Sequence, residues 1–402
     1  MSWDADPYEY ELISDEYDEV VRDYVQYSFW PEEGAQVDGW TLPPPHDELG
    51  EQWGLFRDGE LLSINTRYFV DARIRGDWHP IDATSTIVTP PEHRRQGAIA
   101  RMAPDHYQRC REEGLHFSFG WAFDHGFYHQ FGYGKTDQMF RYTCSPGALL
   151  SAVEDPDGRF RRVGPDAWAD LDAVYREYVD DLALPVDRTE EWWRTQIFAP
   201  TGTTRHACVW ERDGEPRGYV VYEVRKSSGR VIDVQDMGYV DHEAFRHLVR
   251  YLGQHDAQIG EVRLILPEDR RLLDVVDSPE SLDCSIKLGP VFRVLNVAAG
   301  LESLSYPRHL DGTVTVAVSD SLAFWNDDTF ALSFDGGTAT CEPTDREADV
   351  SVDVKPLSEL VVGYRSVEEL ERTGGLTVHD DDGAALLAAA FPPQTSFVYD
   401  DF

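Results

Sequence analysis

Between residues 87 and 100 the chain reads Ile87-Val88-Thr89-Pro90-Pro91-Glu92-His93-Arg94-Arg95-Gln96-Gly97-Ala98-Ile99-Ala100. The β-branched and apolar residues up to this point predict a strand over 81–89, and the two prolines end it. Apolar residues then recur at helical spacing as far as Cys110, with Pro104 inside the pattern. The sequence therefore predicts a strand, a short loop closed by Gly97, and an amphipathic helix.

The loop before this helix has the features of an anion-binding site. The first N–H groups of a helix have no partner within the helix, and the helix dipole adds partial positive charge there. Gly97 lets the backbone approach a ligand closely, and Arg94 and Arg95 supply positive charge. A pyrophosphate group fits this description. A plain βα turn with solvated arginines explains the same residues, since Arg-x-x-Gly is a short motif.

A second motif follows the helix. The alternating segment over 115–121 predicts a strand, and the segment over 124–131 predicts a short helix. The chain then continues as Phe131-Gly132-Tyr133-Gly134, and Tyr128 lies three residues before this motif. The two motifs thus lie on either side of one predicted strand.

Together these motifs resemble the acetyl-CoA site of GNAT-type N-acetyltransferases. Arg94 and Gly97 match the family's loop, whereas Ile99 stands where the family usually has glycine or alanine. The Eis-type (enhanced intracellular survival) branch shares this difference and also the tyrosine before Phe-Gly-Tyr-Gly. The resemblance extends over essentially the whole chain, including the last residue.

The resemblance implies an acetyl-CoA site made from the strand end, the loop and two residues after the next strand. The implied contacts are Ile87, Val88, Thr89, Arg94, Arg95, Gln96, Gly97, Ala98, Ile99, Ala100, Phe123 and Asp124. The backbone N–H of Val88 is the candidate donor to the thioester oxygen as that oxygen becomes negative. Phe29 and Trp30 are candidates for lining the amine site, and ordinary core packing is the alternative for both rings.

The resemblance assigns the catalytic roles to Tyr128 and to the C-terminal carboxylate of Phe402. A phenol with a pKa of about 10 is protonated at neutral pH and can serve as the acid for the departing thiolate. The terminal carboxylate is the expected base. Asp400 and Asp401 would raise its pKa by like-charge repulsion and attract a cationic amine. The apolar residues 397–399 favour a bound tail over a frayed terminus.

The chain is strongly acidic. Its 74 Asp and Glu residues against 36 Lys and Arg residues give a net charge of −38 over 402 residues. The acids are spread along the chain, which indicates a surface adapted to high intracellular salt, as in halophilic proteins. This charge excludes nucleic acid as a partner and would attract a cationic substrate. With neither a signal peptide nor a membrane span in the sequence, we expect a cytoplasmic protein without membrane association.

Cysteine and histidine spacing gives no metal site. The five cysteines are far apart and form no Cys-x-x-Cys pair, so neither a zinc site nor a disulfide framework is expected. His125 and His129 have a spacing that suits two metal ligands, but no further ligand set accompanies them. A solvated or structural role is therefore expected for these two residues and for His93.

The second half of the chain repeats the order of elements of the first. Trp210-Glu211-Arg212-Asp213-Gly214-Glu215 echoes Leu55-Phe56-Arg57-Asp58-Gly59-Glu60 at a predicted hairpin, and each follows a predicted helix. The second copy has Val234-Gln235-Asp236-Met237 before its next helix instead of Arg-x-x-Gly. We expect an α/β (α+β) fold with a catalytic GNAT domain (1–145), a degenerate GNAT-like domain (146–290) and, by resemblance, a sterol-carrier-like α/β domain (291–402).

The function that the resemblance implies is acetyl-CoA-dependent N-acetyl transfer to primary amines, without a metal. Lysine side chains, aminoglycoside-like compounds and polyamines are the implied acceptors, and a homo-oligomer, a hexamer in this family, is the implied assembly. An acyl-CoA-binding or scaffold protein without turnover is the alternative. A lipid carrier is a third possibility, but the Asp- and Thr-rich strands of the C-terminal domain provide no long apolar lining for it.

Overall fold

The computed structural model describes residues 7–31, 50–199, 205–226 and 229–400. These residues form two compact units. The first unit contains the residues up to 135 and residues 290–393, and the second contains residues 136–289 and the tail from residue 394. The architecture is mixed α/β, which confirms the predicted fold class.

The strands are numbered in chain order. They are β1 (Tyr8–Leu12), β2 (Gly50–Arg57), β3 (Glu60–Ile74), β4 (Asp77–Val88), β5 (Phe117–Gly120), β6 (Gly134–Lys135), β7 (Gln138–Cys144), β8 (Arg159–Val163), β9 (His206–Arg212), β10 (Glu215–Lys226), β11 (Arg230–Tyr239), β12 (Glu261–Leu266), β13 (Asp283–Leu288), β14 (Val291–Val294), β15 (Asp311–Ser319), β16 (Asp328–Asp335), β17 (Thr338–Pro343), β18 (Val350–Asp353) and β19 (Leu376–Val378).

The α-helices are numbered in the same way. They are α1 (Asp18–Phe29), α2 (Ala98–Glu112), α3 (His125–His129), α4 (Trp168–Tyr178), α5 (Glu190–Trp192), α6 (His242–Gly253), α7 (Val297–Glu302), α8 (Val354–Val362), α9 (Val367–Arg372) and α10 (Asp381–Ala390). No helix of the described chain combines the length and the apolar character that a bilayer span requires.

Three sheets organise these elements. The first has the strand order β1-β2-β3-β4-β5-β14-β6, the second has the order β13-β7-β12-β11-β10-β9-β8, and the third has the order β17-β16-β15-β18-β19. Both predicted hairpins are confirmed. Asp58 and Gly59 have φ values of 54° and 79°, and Asp213 and Gly214 have values of 54° and 87°. Positive φ at both central residues is what a tight two-residue turn between twisted strands requires.

Two strands lie outside the domains that the sequence predicted for them. β7 was expected to end the first domain, but it pairs in the second sheet between β12 and β13. β14 was expected to open the third domain, but it lies in the first sheet between β5 and β6. Each strand pairs with residues more than one hundred positions away, so a local pattern cannot reveal its sheet. The ranges 1–145 and 291–402 therefore do not follow the sheets.

The predicted amphipathic helix is α2, and it continues through Pro104. Its buried face consists of Ala98, Met102, Ala103, His106, Tyr107 and Cys110. Full burial of one large apolar side chain stabilises a fold by about 1.5–3 kcal/mol. This face therefore anchors α2 on the first sheet and fixes the position of its N-terminus beside the end of β4.

Candidate active site

The end of β4 forms one side of a gap in the first sheet. In the described chain β4 pairs with β5 only at Asp82–Ser118 and Ala83–Phe119, although β4 continues to Val88. The two strands are in close contact at the last point of approach, because a Cβ atom on Gly120 would overlap the Thr84 carbonyl oxygen. Beyond it, residues 85–88 of β4 do not pair with β5. We call the space beside these residues the β4–β5 gap.

Thr86 marks strain beside the gap. Its φ is 48°, in the left-handed region that β-branched residues rarely adopt. The pairing of β4 with β3 shifts register at the same place, between Ile64 and Thr66. Strained backbone of this kind costs about 1–3 kcal/mol and persists where the surrounding structure enforces it, often at functional sites. The bulge changes which backbone groups of β4 face the gap.

The loop between β4 and α2 contains two left-handed residues close together. Arg95 has a φ of 60°, and Gly97, which begins α2 as its N-cap, has a φ of 80°. No side chain among the described residues caps the helix at Gly97, and its first turn contains no acidic residue. Alternation of ordinary and left-handed residues turns successive N–H groups toward one side, which suits an anion.

The side chains of this loop hold its shape. Arg94 donates from Nε to the Thr89 carbonyl oxygen at 2.7 Å, and Gln96 donates from Nε2 to the Glu92 carbonyl oxygen at 2.9 Å. A Cβ atom on Gly97 would meet no other atom of the described chain within 4 Å. Gly97 is therefore required for its backbone angle, and the space beside it is open to a ligand.

Tyr128 lies on α3 and is half-buried. Its ring packs on Phe123, Phe127 and Tyr133, with centroid distances of 5.7, 5.4 and 6.0 Å. Burial raises the pKa of Tyr128 to about 12. The phenol is therefore fully protonated near neutral pH, and its hydroxyl is available as a hydrogen-bond donor.

Ile99 links the predicted residues of the two motifs. It packs on the cluster of Leu55, Ala98 and Met102 together with Ile87, and also on the cluster that Tyr128 contacts. The residue that departs from the usual family loop thus joins the gap, the helix N-terminus and the tyrosine. The structure brings these three predicted parts of the site together within the first unit.

The other predicted cofactor contacts have different environments. Phe123 has an exposed ring, with 77% of its surface accessible. Asp124 is the N-cap of α3 and accepts a hydrogen bond from the Phe127 N–H at 3.1 Å, so its carboxylate has a structural role as well. Phe29 and Trp30, at the C-terminal end of α1, are 51% and 38% exposed. Their exposure argues against the core packing that was the alternative for them.

The C-terminal residues divide into two groups. Asp401 and Phe402, the predicted substrate contact and base, lie outside the described residues. Asp400 is described; the residue is only 2% exposed, and its carboxylate forms an ion pair with Arg188 at 2.8 Å. The expectation that Asp400 acts on the terminal carboxylate and on the amine was therefore wrong, because its charge is already used by a buried arginine.

Sequence reasoning also missed a buried arginine behind α3. Arg293 on β14 donates from Nη1 to the Phe131 carbonyl oxygen at 2.8 Å and from Nη2 to Asp320 at 2.6 Å. Its guanidinium lies over the ring of Tyr107 at 4.3 Å. Phe131 follows the helix that bears Tyr128, so this contact holds the segment that contains Tyr128. A single arginine within the apolar run Val291–Leu295 was the signal in the sequence.

A buried polar cluster lies under α2. Asp82, His106 and Cys110 place one ligand atom each within 4.8 Å of one another. Arg67 occupies the same cluster, with Nε 2.8 Å from Asp82 and Nη2 3.3 Å from the Cys110 sulfur. Burial alone would raise the pKa of Asp82, but His106 and Arg67 hold it below its usual range. The guanidinium already neutralises the carboxylate that a metal ion would need.

Family comparisons agree with this geometry. Two models of the acetyltransferase (GNAT) domain match residues 9–136 and 184–294, and a model of the sterol carrier protein domain matches residues 297–399. The N-acetyltransferase Eis of Mycobacterium tuberculosis is 25% identical over 335 residues, which cover 80% of this chain and 81% of the relative. An uncharacterised N-acetyltransferase of Streptomyces avermitilis is 26% identical over 73% of this chain and 75% of its own length.

Solved structures show the same fold. A probable N-acyltransferase of Enterococcus faecalis has a TM-score of 0.88 at 20% identity, covering 98% of this chain and 100% of that one. Eis1 of Mycobacterium abscessus has a TM-score of 0.77 at 23% identity, with coverage of 98% and 100%. The predicted architecture of two GNAT domains followed by a sterol-carrier-like domain is thereby confirmed.

Proposed function

Because the chain belongs to the Eis-type branch of the GNAT N-acetyltransferases, we propose that it transfers the acetyl group of acetyl-CoA to a primary amine at the β4–β5 gap. The observation that best supports this site is the open N-terminus of α2 with its two left-handed residues, Arg95 and Gly97. The pyrophosphate of the cofactor binds there, and the thioester extends along residues 87–89. The loop and the first helical turn around the pyrophosphate also include Gln96, Ala98, Ile99 and Ala100.

The chemistry consists of one bond formed and one broken. The amine nitrogen attacks the thioester carbon, the N–C bond forms, and the C–S bond breaks to release CoA. The backbone N–H of Val88 donates to the oxygen as negative charge develops on it. Phe123 and Asp124 contact the cofactor from its opposite side.

Tyr128 is the proposed acid for the departing sulfur. A simple thiol has a pKa of roughly 8.5, so a phenol whose pKa is about 12 does not give up its proton to the thiolate readily. Its main contribution is therefore a hydrogen bond to the sulfur while the C–S bond breaks. Because this role needs only the protonated phenol, the turnover rate should show no loss from Tyr128 ionisation below about pH 11.

The base is the α-carboxylate of Phe402. Primary amines have pKa values of roughly 10.4, so the acceptor must lose a proton before or during attack. A terminal carboxylate has an ordinary pKa of roughly 3.5 and becomes an effective base only where burial raises that value. Asp401 adds negative charge that attracts the cationic amine, and Phe29 and Trp30 line the acceptor site.

The acceptor class follows from charge. A protein with a net charge of −38 attracts polyamines, aminoglycoside-like compounds and lysine side chains and repels anionic acceptors. This long-range attraction weakens as salt screens it. Acceptor KM values should therefore rise between low and molar KCl, while the KM for acetyl-CoA should change little or fall.

The test is release of CoA thiol from acetyl-CoA with a panel of these amines. We expect Tyr128→Phe to reduce kcat by about 10–10²-fold with acetyl-CoA affinity retained, which is the size expected when one hydrogen bond to a developing charge is lost. Tyr222→Phe is the matched control, because that tyrosine belongs to the second unit and hydrogen-bonds His255 at 3.3 Å. Removal of Phe402 should silence the enzyme, whereas Phe402→Ala, which keeps a carboxylate at the same position, should retain activity.

Three results would overturn parts of this proposal. Equal activity with and without Phe402 would remove the terminal carboxylate from the mechanism. An unchanged kcat in Tyr128→Phe would remove the phenol. Binding of acetyl-CoA without thiol release for any amine in the wild-type chain would contradict acetyl transfer to amines of these classes.

A further inference from the structure

A buried arginine in the second unit binds two carboxylates from distant parts of the chain. Arg188 has no exposed side-chain surface, and it contacts Asp236 from Nη1 at 2.6 Å and Asp400 from Nε and Nη2 at 2.8 and 3.1 Å. The indole N–H of Trp192 donates to the same Asp400 carboxylate at 2.7 Å. The ring of Tyr175 lies against the guanidinium at 4.0 Å. The two N–H···O bonds to the Asp400 carboxylate form a bidentate ion pair, which a lysine side chain cannot form.

Asp400 is the end of a tail that is bound along its described length. The Ala183 N–H donates to the Thr395 carbonyl oxygen at 2.9 Å, and the Phe397 N–H donates to the Ala183 carbonyl oxygen at 3.1 Å. Ser396 donates from its hydroxyl to the Thr136 carbonyl oxygen at 2.7 Å. Phe397 and Val398 are 2% and 3% exposed. The tail thus has backbone, side-chain and apolar contacts within the second unit.

The place where the tail binds corresponds to the active-site gap of the first unit. In the described chain β11 runs parallel to β12 and pairs with it only from Val231 to Asp233. Beyond that point β11 continues to Tyr239 and β12 to Leu266 without pairing to each other, as β4 continues beyond its last pair with β5. We call the space beside these unpaired residues the β11–β12 gap.

The tail contacts both strands of the β11–β12 gap. Asp236 on β11 lies three residues beyond the last pair and is joined to Asp400 through Arg188. Ile265 on β12 lies two residues beyond the last pair, and its carbonyl oxygen accepts a hydrogen bond from the Tyr399 hydroxyl at 2.6 Å. The chain's own tail therefore occupies the part of the second GNAT fold that corresponds to the cofactor gap of the first.

We propose that the second GNAT unit is a receptor for the C-terminal tail, and that Arg188, held by Asp236 and acting on Asp400, is a positioning residue for the last two residues of the chain. The functional half of this inference rests on the proposed role of the Phe402 carboxylate. Asp400 is two residues from that carboxylate in the sequence, so an anchor at Asp400 limits how far the terminal carboxylate can lie from it. Such a restriction places a weak base where it can act instead of leaving it in solvent.

The test uses the full chain with Asp400→Asn. This isosteric change removes the charge that Arg188 binds but keeps a hydrogen-bonding side chain. Trp192→Phe is the milder second variant, since it removes one hydrogen bond to Asp400 and keeps an aromatic ring. Asp155→Asn is the matched control, because that aspartate is exposed in the same unit. Two readouts are followed in each variant: hydrogen exchange of the tail peptide 394–400, and kcat and KM for acetyl-CoA.

We expect Asp400→Asn to accelerate exchange of the Phe397 amide by about tenfold or more, because a charge-assisted bidentate contact is lost from a buried site. Trp192→Phe should accelerate it by a smaller factor, and Asp155→Asn should not change it. If the terminal carboxylate is the base, Asp400→Asn should also lower kcat by about tenfold with the KM for acetyl-CoA unchanged. If the Arg188–Asp400 contact has only a structural role, the changes in tail exchange and in kcat should not follow each other across the three variants.

The outcomes separate the anchor from the proposed mechanism. Unchanged tail exchange in both Asp400→Asn and Trp192→Phe would overturn the receptor, whatever the activity. Faster exchange with unchanged kcat would support the receptor as a binding site but overturn the positioning role. If kcat is also insensitive to removal of Phe402, it is the terminal base that fails, and the receptor still stands on the exchange result alone.

Discussion

Replacing Gly132 by alanine tests how Arg293 fixes the segment that bears Tyr128. Gly132 has a φ of 80°, and a Cβ atom on it would overlap Nη1 of Arg293 and lie 2.9 Å from a methyl group of Val354. Arg293 is fully buried and already bound to the Phe131 carbonyl oxygen and to Asp320. The guanidinium has no open space to move into without leaving one of these partners.

The expected cost has two parts. An L-residue in the left-handed region costs about 1 kcal/mol more than glycine. Displacement of Arg293 removes its charge-assisted hydrogen bond to Phe131, which is worth about 1.5–3 kcal/mol. The sum is about 2.5–4 kcal/mol, equivalent to a fall of about 10 °C in the Tm of a unit of about 240 residues.

Gly114 provides the matched control. Its φ is 78°, nearly that of Gly132, but a Cβ atom there would meet no atom of the described chain within 4 Å. Gly114→Ala should therefore cost about 1 kcal/mol and lower the Tm by about 2–4 °C. Scanning calorimetry that resolves the transition of the first unit measures both variants. In an Arg293→Ala background, Gly132→Ala should cost only the backbone part, so the coupling between the two changes should be about 1.5–3 kcal/mol.

Equal Tm values for Gly132→Ala and Gly114→Ala would refute the reasoning, because only the Arg293 contact distinguishes the two sites. The reasoning would also be refuted if Gly132→Ala lowered the stability by the same amount in the Arg293→Ala background as in the wild-type chain. A loss of kcat that accompanies the loss of stability would further indicate that the contact from β14 positions Tyr128.

Two further predictions concern the loop and a buried acid. Gly97→Ala should weaken acetyl-CoA binding by about tenfold while the free protein loses about 1 kcal/mol of stability, measured by titration calorimetry and urea unfolding; unchanged affinity would remove the loop from the site. Burial raises the pKa of Asp137 to about 7, so the folded chain binds a proton there that the unfolded chain releases near pH 4. Its stability should therefore fall as pH rises from about 4 to 7, by up to about 4 kcal/mol. Asp137→Asn should remove that loss, and an equal fall between pH 5 and 8 in both proteins would contradict it.

The local parts of the fold could be predicted because short sequence signals determine them. The prolines after β4, the glycine before α2 and the Asp-Gly pairs at both hairpins each restrict the backbone within a few residues. The start of α6 likewise has a local signal, since the Asp241 carboxylate accepts from the Ala244 N–H at 2.8 Å. These features need no knowledge of the rest of the chain.

The partners across long distances could not be predicted in this way. β14 pairs with β5 across more than 160 residues, and Arg188 meets Asp400 across 212 positions. A buried arginine and an exposed one have the same letter in the sequence, and only the apolar neighbours of Arg293 distinguished it. For Arg188 the neighbours Val186, Trp192 and Trp193 gave a similar indication, but they did not identify the carboxylates it binds.

The two GNAT units differ in what their helix N-termini leave open. In the first unit α2 begins at Gly97, which has no side chain to satisfy the helix N–H groups, so these groups remain available to a phosphate. In the second unit α6 begins at Asp241, whose carboxylate accepts from the Ala244 N–H and pairs with Arg217. A cap of this kind is itself an anion at the helix N-terminus, so it disfavours a pyrophosphate at the position where we propose that the first unit binds one. The described tail contacts both strands of the β11–β12 gap, and its Asp400 carboxylate pairs with the buried Arg188. The second unit thus retains the unpaired strand ends of the first but uses them to bind part of its own chain.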